Sequence, residues 1–367
     1  MAGRRVGRNP MMDSLTATKL FWDFVKYDRM TGGPDTHLDM IAHMSKDMDW
    51  QDGLWLAGCY VAVYNVPTGY RLWEALPWSR MSLPWLEEHS QIAKFVEANW
   101  SGLSFRRERR AVRSIPKLIR HLESYARWLT TNAPYYFDVD RLDHRLGAEA
   151  RYQQIWDNLD ASVWGLGRYA LMKLLETFTR QAYVPLSLPD IRPIGGDSPR
   201  EQLSELYSDP SLQRGNTDRQ LAAVAEKVGH LRWSGRNQGI DITMFQAEVY
   251  LCEFKQATKY NQYPGRALDS EFGHYTKTAE YFGEWPDFFR IRKELYPSWA
   301  LGEANGWSQR RDELGGCIPD HGYVWSDAIY DYERTAISGL ANPVQRDGPL
   351  PDGPKPVCEC RYAEVYA

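Results

Sequence analysis

Four side chains in the stretch 244–266 have the types and spacing for chemistry on an anion. Glu248, Cys252, Lys255 and Lys259 recur at i, i+4, i+7 and i+11, which a helix sets in one line. A carboxylate, a thiol and two ammonium groups on one line form a site for an anionic substrate. The same stretch carries Ala247, Tyr250, Leu251, Phe254 and Thr258 at helical spacing, which predicts a buried face beside that line. Pro264 and Gly265 end the helix, and Arg266 follows. Taken alone, the pattern also fits an amphipathic helix with a solvated charged flank.

The rest of the chain must position this helix. With 367 residues it is long enough for one large or two ordinary domains. Hydrophobic residues at 43% and charged ones at 25% are those of a globular protein. Aromatics reach 13%, with 15 Trp and 22 Tyr; such rings either line a pocket for a planar ligand or fill the core. The net charge of −4 excludes a polycation, so nucleic acid would have to be met by a local patch. The five Cys, at 59, 252, 317, 358 and 360, read as reduced thiols in a reducing compartment rather than a disulfide scaffold. The basic start lacks the apolar core of a secretory signal, and no run of about 18 apolar residues is present. The expectation is a cytoplasmic protein without a membrane partner.

A local cationic patch lies at 105–120. Arg106, Arg107, Arg109, Arg110, Arg113, Lys117 and Arg120 are opposed there only by Glu108, giving a candidate phosphate-contacting surface or a solvated helix face. Within 152–179 a helical pattern is interrupted by Val163-Trp164-Gly165-Leu166-Gly167. Such a turn offers backbone N–H groups of Gly165 and Gly167 at a helix start, where a DNA phosphate can sit; a plain helix–helix turn is the simpler reading. It is similar to the hairpin of helix-hairpin-helix proteins, with its Ala170 one residue early. Asp190 then stands where glycosylases of that group carry their catalytic acid. The Gly-rich loop at 194–200 opens another helix and ends on Arg200. Strand patterning is scarce, so the class is mainly α.

The expected organisation is a basic arm over 1–14, a helical catalytic domain over 15–275, a helical extension over 276–340 and a Pro/Gly-rich tail over 341–367. Cys317, His321, Cys358 and Cys360 hold the residue types of a structural zinc set, but their spacing is not that of a standard finger. Reduced, unliganded thiols are therefore the main expectation there.

The order of motifs carries a resemblance. Phe21-Trp22-x-Phe24 with Arg29, the Trp164-Gly165-Leu166-Gly167 turn, Ile194-Gly195-Gly196-Asp197-Ser198-Pro199-Arg200, and Glu248-x-x-Leu251-Cys252-Glu253-Phe254-x-x-x-x-Lys259-Tyr260 with Gly265-Arg266 together resemble the bacteriophage alpha-glutamyl/putrescinyl thymine pyrophosphorylases, or amino acid:DNA transferases. The likeness extends to the helical domain of phage 5-hydroxymethyluracil DNA kinases. It covers most of 15–275 as separated motifs, of which Leu-Cys-Glu-Phe with Lys-Tyr is the most specific. The family's Cys-Glu to Lys-Tyr spacing is tighter, so Lys255 is a candidate for part of that lysine's role. The loop reads Gly-Gly-Asp-Ser-Pro where the family has Gly-Pro-Gly.

The resemblance implies a fold similar to helix-hairpin-helix DNA glycosylases and a step in thymine hypermodification, in the cytoplasm of an infected bacterial host. An amine, from an amino acid or a polyamine, replaces pyrophosphate on 5-(pyrophosphoryloxymethyl)uracil in DNA. The base must be flipped or strongly exposed to be enclosed; Trp164, Tyr169 and Tyr260 are the candidates to stack on it. The leaving pyrophosphate calls for cations: Lys255, Lys259 and Arg266, with Arg200 and Arg192 behind them. No cofactor is required, although Mg²⁺ is an option for sharing that charge. The incoming ammonium needs a base; Glu253 is favoured by the motif, with Glu248 and Asp190 as alternatives. Cys252 is either a nucleophile or a packing residue. Two other readings compete. One is a glycosylase with Asp190 as the acid and Lys173 or Lys255 as a lyase amine. The other is a non-enzymatic DNA-binding phage protein using the 106–120 patch.

Overall fold

The computed structural model describes residues 18, 21, 22, 24, 25, 36–81, 90–188, 197–213, 215, 217–258 and 266–295. Among them there are thirteen α-helices and no strand, so the mainly α class is what the chain adopts. In chain order these are α1 (Thr36–Ser45), α2 (Trp50–Val63), α3 (Val66–Ala75), α4 (Gln91–Asn99), α5 (Ile115–Thr131), the single turn α6 (Pro134–Phe137), α7 (Ala148–Ser162), α8 (Arg168–Gln181), α9 (Asp197–Leu206), α10 (Asp218–Arg236), α11 (Met244–Thr258), α12 (Arg266–Phe282) and α13 (Asp287–Leu295).

The chain divides into two compact units. The hairpin unit is Asp35–Pro189 with Ala267–Tyr296; the α11 unit is Met1–Pro34, Asp190–Arg266 and Pro297–Ala367. The expected boundary at 275 falls inside α12. That helix belongs to the hairpin unit because its buried residues are bonded to groups about 200 positions earlier in the chain.

In the hairpin unit α2 is the central helix, with every residue from Gly53 to Val63 buried. It packs against α3, α5, α8 and α1. Asp49 caps it, its carboxylate accepting from the amides of Gln51 and Asp52. The expected break at Val66-Pro67 is a turn at Tyr64 and Asn65. Tyr64 takes the left-handed conformation at φ 60°, the Asn65 side chain accepts from the Thr68 amide, and Pro67 sits in the first turn of α3, where its missing N–H costs nothing. At Gly58 a Cβ would meet Tyr125 at 2.0 Å, so the glycine sets how closely α2 and α5 approach. The Tyr125 hydroxyl then donates to the Leu54 carbonyl at 2.6 Å.

Much of the aromatic excess is core. Trp55 stacks on Tyr125, Tyr125 on Trp128 and Trp128 on Phe178, at centroid separations of 6.0, 5.7 and 6.2 Å. Each fully buried large ring stabilises the fold by about 1.5–3 kcal/mol relative to exposure.

A polar seam fastens α12 to this core. Glu271 is fully buried and accepts from the Val66 amide at 2.7 Å and from Arg106. Its carboxylate therefore caps the start of α3 from outside and pairs with a guanidinium. Ser104 and His274 are bonded at 2.8 Å, and Thr68 and Thr278 at 3.4 Å.

The α11 unit packs α9 against α11, with α10 alongside both. Thr217 and Gln220 form a capping box at the start of α10. Phe21 and Phe24 lie 5.4 and 5.5 Å from Phe254. Trp22 lies over Gly235, where a Cβ would come within 2.4 Å of the ring. The Phe21-Trp22-x-Phe24 motif is thus the packing partner of α10 and α11. No described helix is long and apolar enough to cross a membrane.

Candidate functional site

The helix α11 buries Ala247, Tyr250, Leu251 and Phe254, the face expected from their spacing. Glu248, Cys252 and Glu253 flank it and are half-buried. Glu248 and Glu253 lie about 140° apart round the helix, so they present to different surroundings. The side chains of Lys255 and Arg266, and the whole of Lys259, Tyr260, Asp190 and Arg192, lie outside the described residues, as do Cys317, His321, Cys358 and Cys360. Among the described residues no group of three His, Cys, Asp or Glu side chains is arranged to hold a metal ion.

Arg200 is placed differently from its expected role. It is buried, its Nε donating to the Leu212 carbonyl at 2.9 Å and an Nη to the Gly215 carbonyl at 2.8 Å. These bonds tie α9 to the loop before α10, so the guanidinium holds the fold of the α11 unit.

The cationic patch also splits. A 3-10 turn, Arg107–Val112, kinks at Arg109 before α5 begins, so the arginines do not share one helix face. Arg107 and Arg113 are exposed, Arg113 donating to the Phe105 and Arg106 carbonyls. Arg106 turns inward to Glu271, with its guanidinium 5.7 Å from the Tyr64 ring centre. Arg109 is 3% exposed. It reaches the Ala62 carbonyl at 3.4 Å and the Gly165 carbonyl at 3.4 and 3.5 Å. Arg106 and Arg109 are therefore interior groups, whereas Arg107, Arg113, Lys117 and Arg120 remain as the exposed cations. The side chain of Arg110 lies outside the described residues.

A turn between two helices forms where the sequence places it. The five residues from Val163 to Gly167 join α7 to α8, with Gly165 at φ 79°. A side chain there would be strained. Three side chains hold its backbone, and two of them, Ser124 and His121, were not marked as functional by sequence reasoning. Ser124 Oγ accepts from the Trp164 amide at 3.0 Å, His121 Nδ1 lies 2.6 Å from the Trp164 carbonyl, and Arg109 reaches the next carbonyl. The oxygen can only accept, so His121 Nδ1 carries the proton. Their signal in the sequence was no more than Ser and His one turn apart on an amphipathic helix.

His121 is held neutral. Burial, reinforced by the Arg109 charge, brings its pKa down to about 3 against the opposing pull of the Trp164 carbonyl. His274 is likewise lowered to about 4, by burial and then by the charges of Arg106 and Lys277. An unfolded imidazole binds its proton near 6.5, so the unfolded chain holds more protons between that pH and about 3, and stability falls as pH falls through this window. Between pH 7 and pH 5 His121 is expected to contribute about 2 kcal/mol of this loss. Urea melts at the two pH values should show a loss smaller by about that amount in His121→Asn; an equal loss in both proteins would refute the assignment.

Of the proposed stacking rings, Trp164 is half-buried with Arg120 over its face at 4.8 Å. Tyr169 is 45% exposed at the start of α8. Its hydroxyl meets that of Tyr64 at 2.7 Å, and the two rings pack edge to face. Tyr64 thus fixes the direction in which Tyr169 is presented. Tyr64→Phe is expected to cost about 1 kcal/mol by removing the bond between the two hydroxyls. Urea midpoints measure it; an unchanged midpoint would mean that the bond does not hold Tyr169 in place.

Lys173 lies one turn further along α8. It is buried and paired with Glu176 at 2.9 Å, and Glu176 is bonded in turn to Arg180, which reaches Asp39 on α1. Buried and ion-paired, it is not presented as a lyase nucleophile.

The hairpin unit thus gathers Gly165, Gly167, Trp164, Tyr169 and the exposed arginines, while Glu248, Glu253 and Arg200 belong to the α11 unit. No protein-family model matches the chain, and neither a curated protein nor a solved structure does.

Proposed function

We propose that the protein is an amino acid:DNA transferase that places an amine on 5-(pyrophosphoryloxymethyl)uracil in DNA and releases pyrophosphate. The observation that carries the reading is the clamped hairpin between α7 and α8, with a positive-φ Gly165 and an exposed tyrosine beside it. Backbone donors at a helix start suit a DNA phosphate, and Arg107, Arg113, Lys117 and Arg120 add surface charge on the same unit. The resemblance of the α11 motif to the phage transferases supplies the reaction class.

In this reaction the amine nitrogen forms a bond to the methylene carbon on C5 of the base, and the carbon–oxygen bond to pyrophosphate breaks. The electron pair of that bond leaves with the pyrophosphate. The ammonium of the cosubstrate first gives up a proton to a carboxylate; Glu253 fits by its motif and Glu248 is the alternative. Lys255, Lys259 and Arg266 are assigned to the departing charge. Mg²⁺ would share that charge if it takes part.

The test is to incubate the protein with DNA carrying the pyrophosphorylated base and a pool of amino acids and polyamines, then digest and weigh the nucleosides. An amine-adducted nucleoside supports the proposal. An abasic site supports a glycosylase instead, and DNA binding without any mass change supports a non-enzymatic role.

A further inference from the structure

The outer face of α10 has the spacing of a helix–helix seam. Val224, Val228, Leu231 and Gly235 turn its inner face to the core. On the opposite side stand Ala222, Glu226, Gly229, Trp233 and Arg236, at intervals of four, three, four and three, and all five are exposed. Alternating steps of three and four keep a stripe facing a second helix.

Two of these residues are unfavourable on a bare surface. Trp233 leaves 66% of its area in water, although its indole is among the largest apolar groups a side chain can bury. Gly229 sits in the interior of a 19-residue helix, where glycine is destabilising. No atom of the described residues comes within 4 Å of the Cβ it lacks, so packing among those residues does not call for a glycine. Gly235 on the inner face is the contrast, with Trp22 at 2.4 Å from its missing Cβ. A bare position one turn from an exposed ring lets another backbone come close.

Charge selects the occupant. Two copies of α10 related by a two-fold axis run antiparallel, and each contact between them is made twice. With the axis at the level of Leu231, Trp233 of each copy lies opposite Gly229 of the other. The same register sets Glu226 of each copy opposite Arg236 of the other, because both pairs are centred on residue 231. At home Glu226 lies 3.6 Å from His230 and Arg236 2.9 Å from Asp241, with all four side chains more than half exposed. Such surface pairs are weak and can be shared across the seam.

We propose that the outer face of α10 is a self-association surface whose partner is a second copy of this chain, docked antiparallel with Trp233 seated on Gly229. α10 packs against α11, so the contact joins two copies through the unit that holds Glu248 and Glu253. One helix pair covers less than the roughly 1,200–2,000 Å² of a standard interface; the dimer is reversible, with a Kd of about 1–100 µM. The proposal does not depend on the transferase reading.

Sedimentation velocity of the full-length protein, from about 1 to 200 µM, should show the mass rising from the 42.5 kDa monomer towards a dimer and no further, since a two-fold contact closes on itself. Trp233→Ala and Gly229→Leu should each weaken association by about tenfold or more. Glu226→Arg and Arg236→Glu should each weaken it by setting like charges opposite one another, and the two together should restore it. Hydrogen exchange on the wild type needs no variant: concentrating the protein should slow exchange across 222–237. A wild type that stays monomeric over the whole range, growth beyond a dimer, association retained in Trp233→Ala, or no rescue by the paired charge exchange would overturn the proposal. A monomeric wild type that loses duplex binding on Trp233→Ala would overturn it in favour of nucleic acid as the occupant.

Discussion

Glu271→Ala is expected to destabilise the hairpin unit by about 3–5 kcal/mol, the cost of removing one partner from a buried ion pair. The carboxylate is fully buried and answers two donors at once, the Val66 amide at the start of α3 and the Arg106 guanidinium. Alanine leaves both without an acceptor in a dry environment. It also frees α12, which carries Glu271, from the rest of the unit. The remaining bonds of the seam, Ser104 to His274 and Thr68 to Thr278, are neutral and weaker. Chemical denaturation reads the effect as a lowered midpoint. A loss below about 1 kcal/mol would mean that the seam does not hold α12 in place.

Glu253→Gln is expected to slow amine transfer by about 10²–10⁴-fold, the usual contribution of a positioned general base. The amide keeps the shape and removes the proton acceptor. Raising the pH toward the pKa of the free amine should recover part of the rate, because the cosubstrate then arrives deprotonated. Glu248→Gln, on another side of α11, should cost less than about tenfold. The reverse ranking would transfer the role to Glu248, and full activity in both variants would remove α11 carboxylates from the mechanism.

Local pattern explains what was readable from the sequence. The 3.6-residue periodicity of Ala247, Tyr250, Leu251 and Phe254 marked the buried face of α11 because burial depends on helical phase alone. Gly165 marked the turn because its positive φ selects glycine locally, whereas Gly167 has ordinary extended backbone. What escaped depends on partners remote in sequence. Arg106 looked like a surface cation until Glu271, 165 residues later, gave it an interior acceptor. Arg109 was grouped with its neighbours by composition, but a kink at that residue and two backbone carbonyls turn it inward. Arg200 looked like an anion ligand in a Gly-rich loop and instead holds two carbonyls. The aromatic excess left pocket and core equally open, and the stacked series from Trp55 to Phe178 decides largely for core.

The central claim concerns displacement of pyrophosphate by an amine, and its most direct measurement counts both products in one time course. DNA bearing the pyrophosphorylated base is mixed with the protein and the amine pool; released pyrophosphate and amine-adducted nucleoside are quantified together. The account predicts that they appear at equal rates in a ratio of one to one, and that neither appears when the amine is withheld. Pyrophosphate release without an adduct, an abasic site in place of the adduct, or unchanged DNA under all conditions would contradict it.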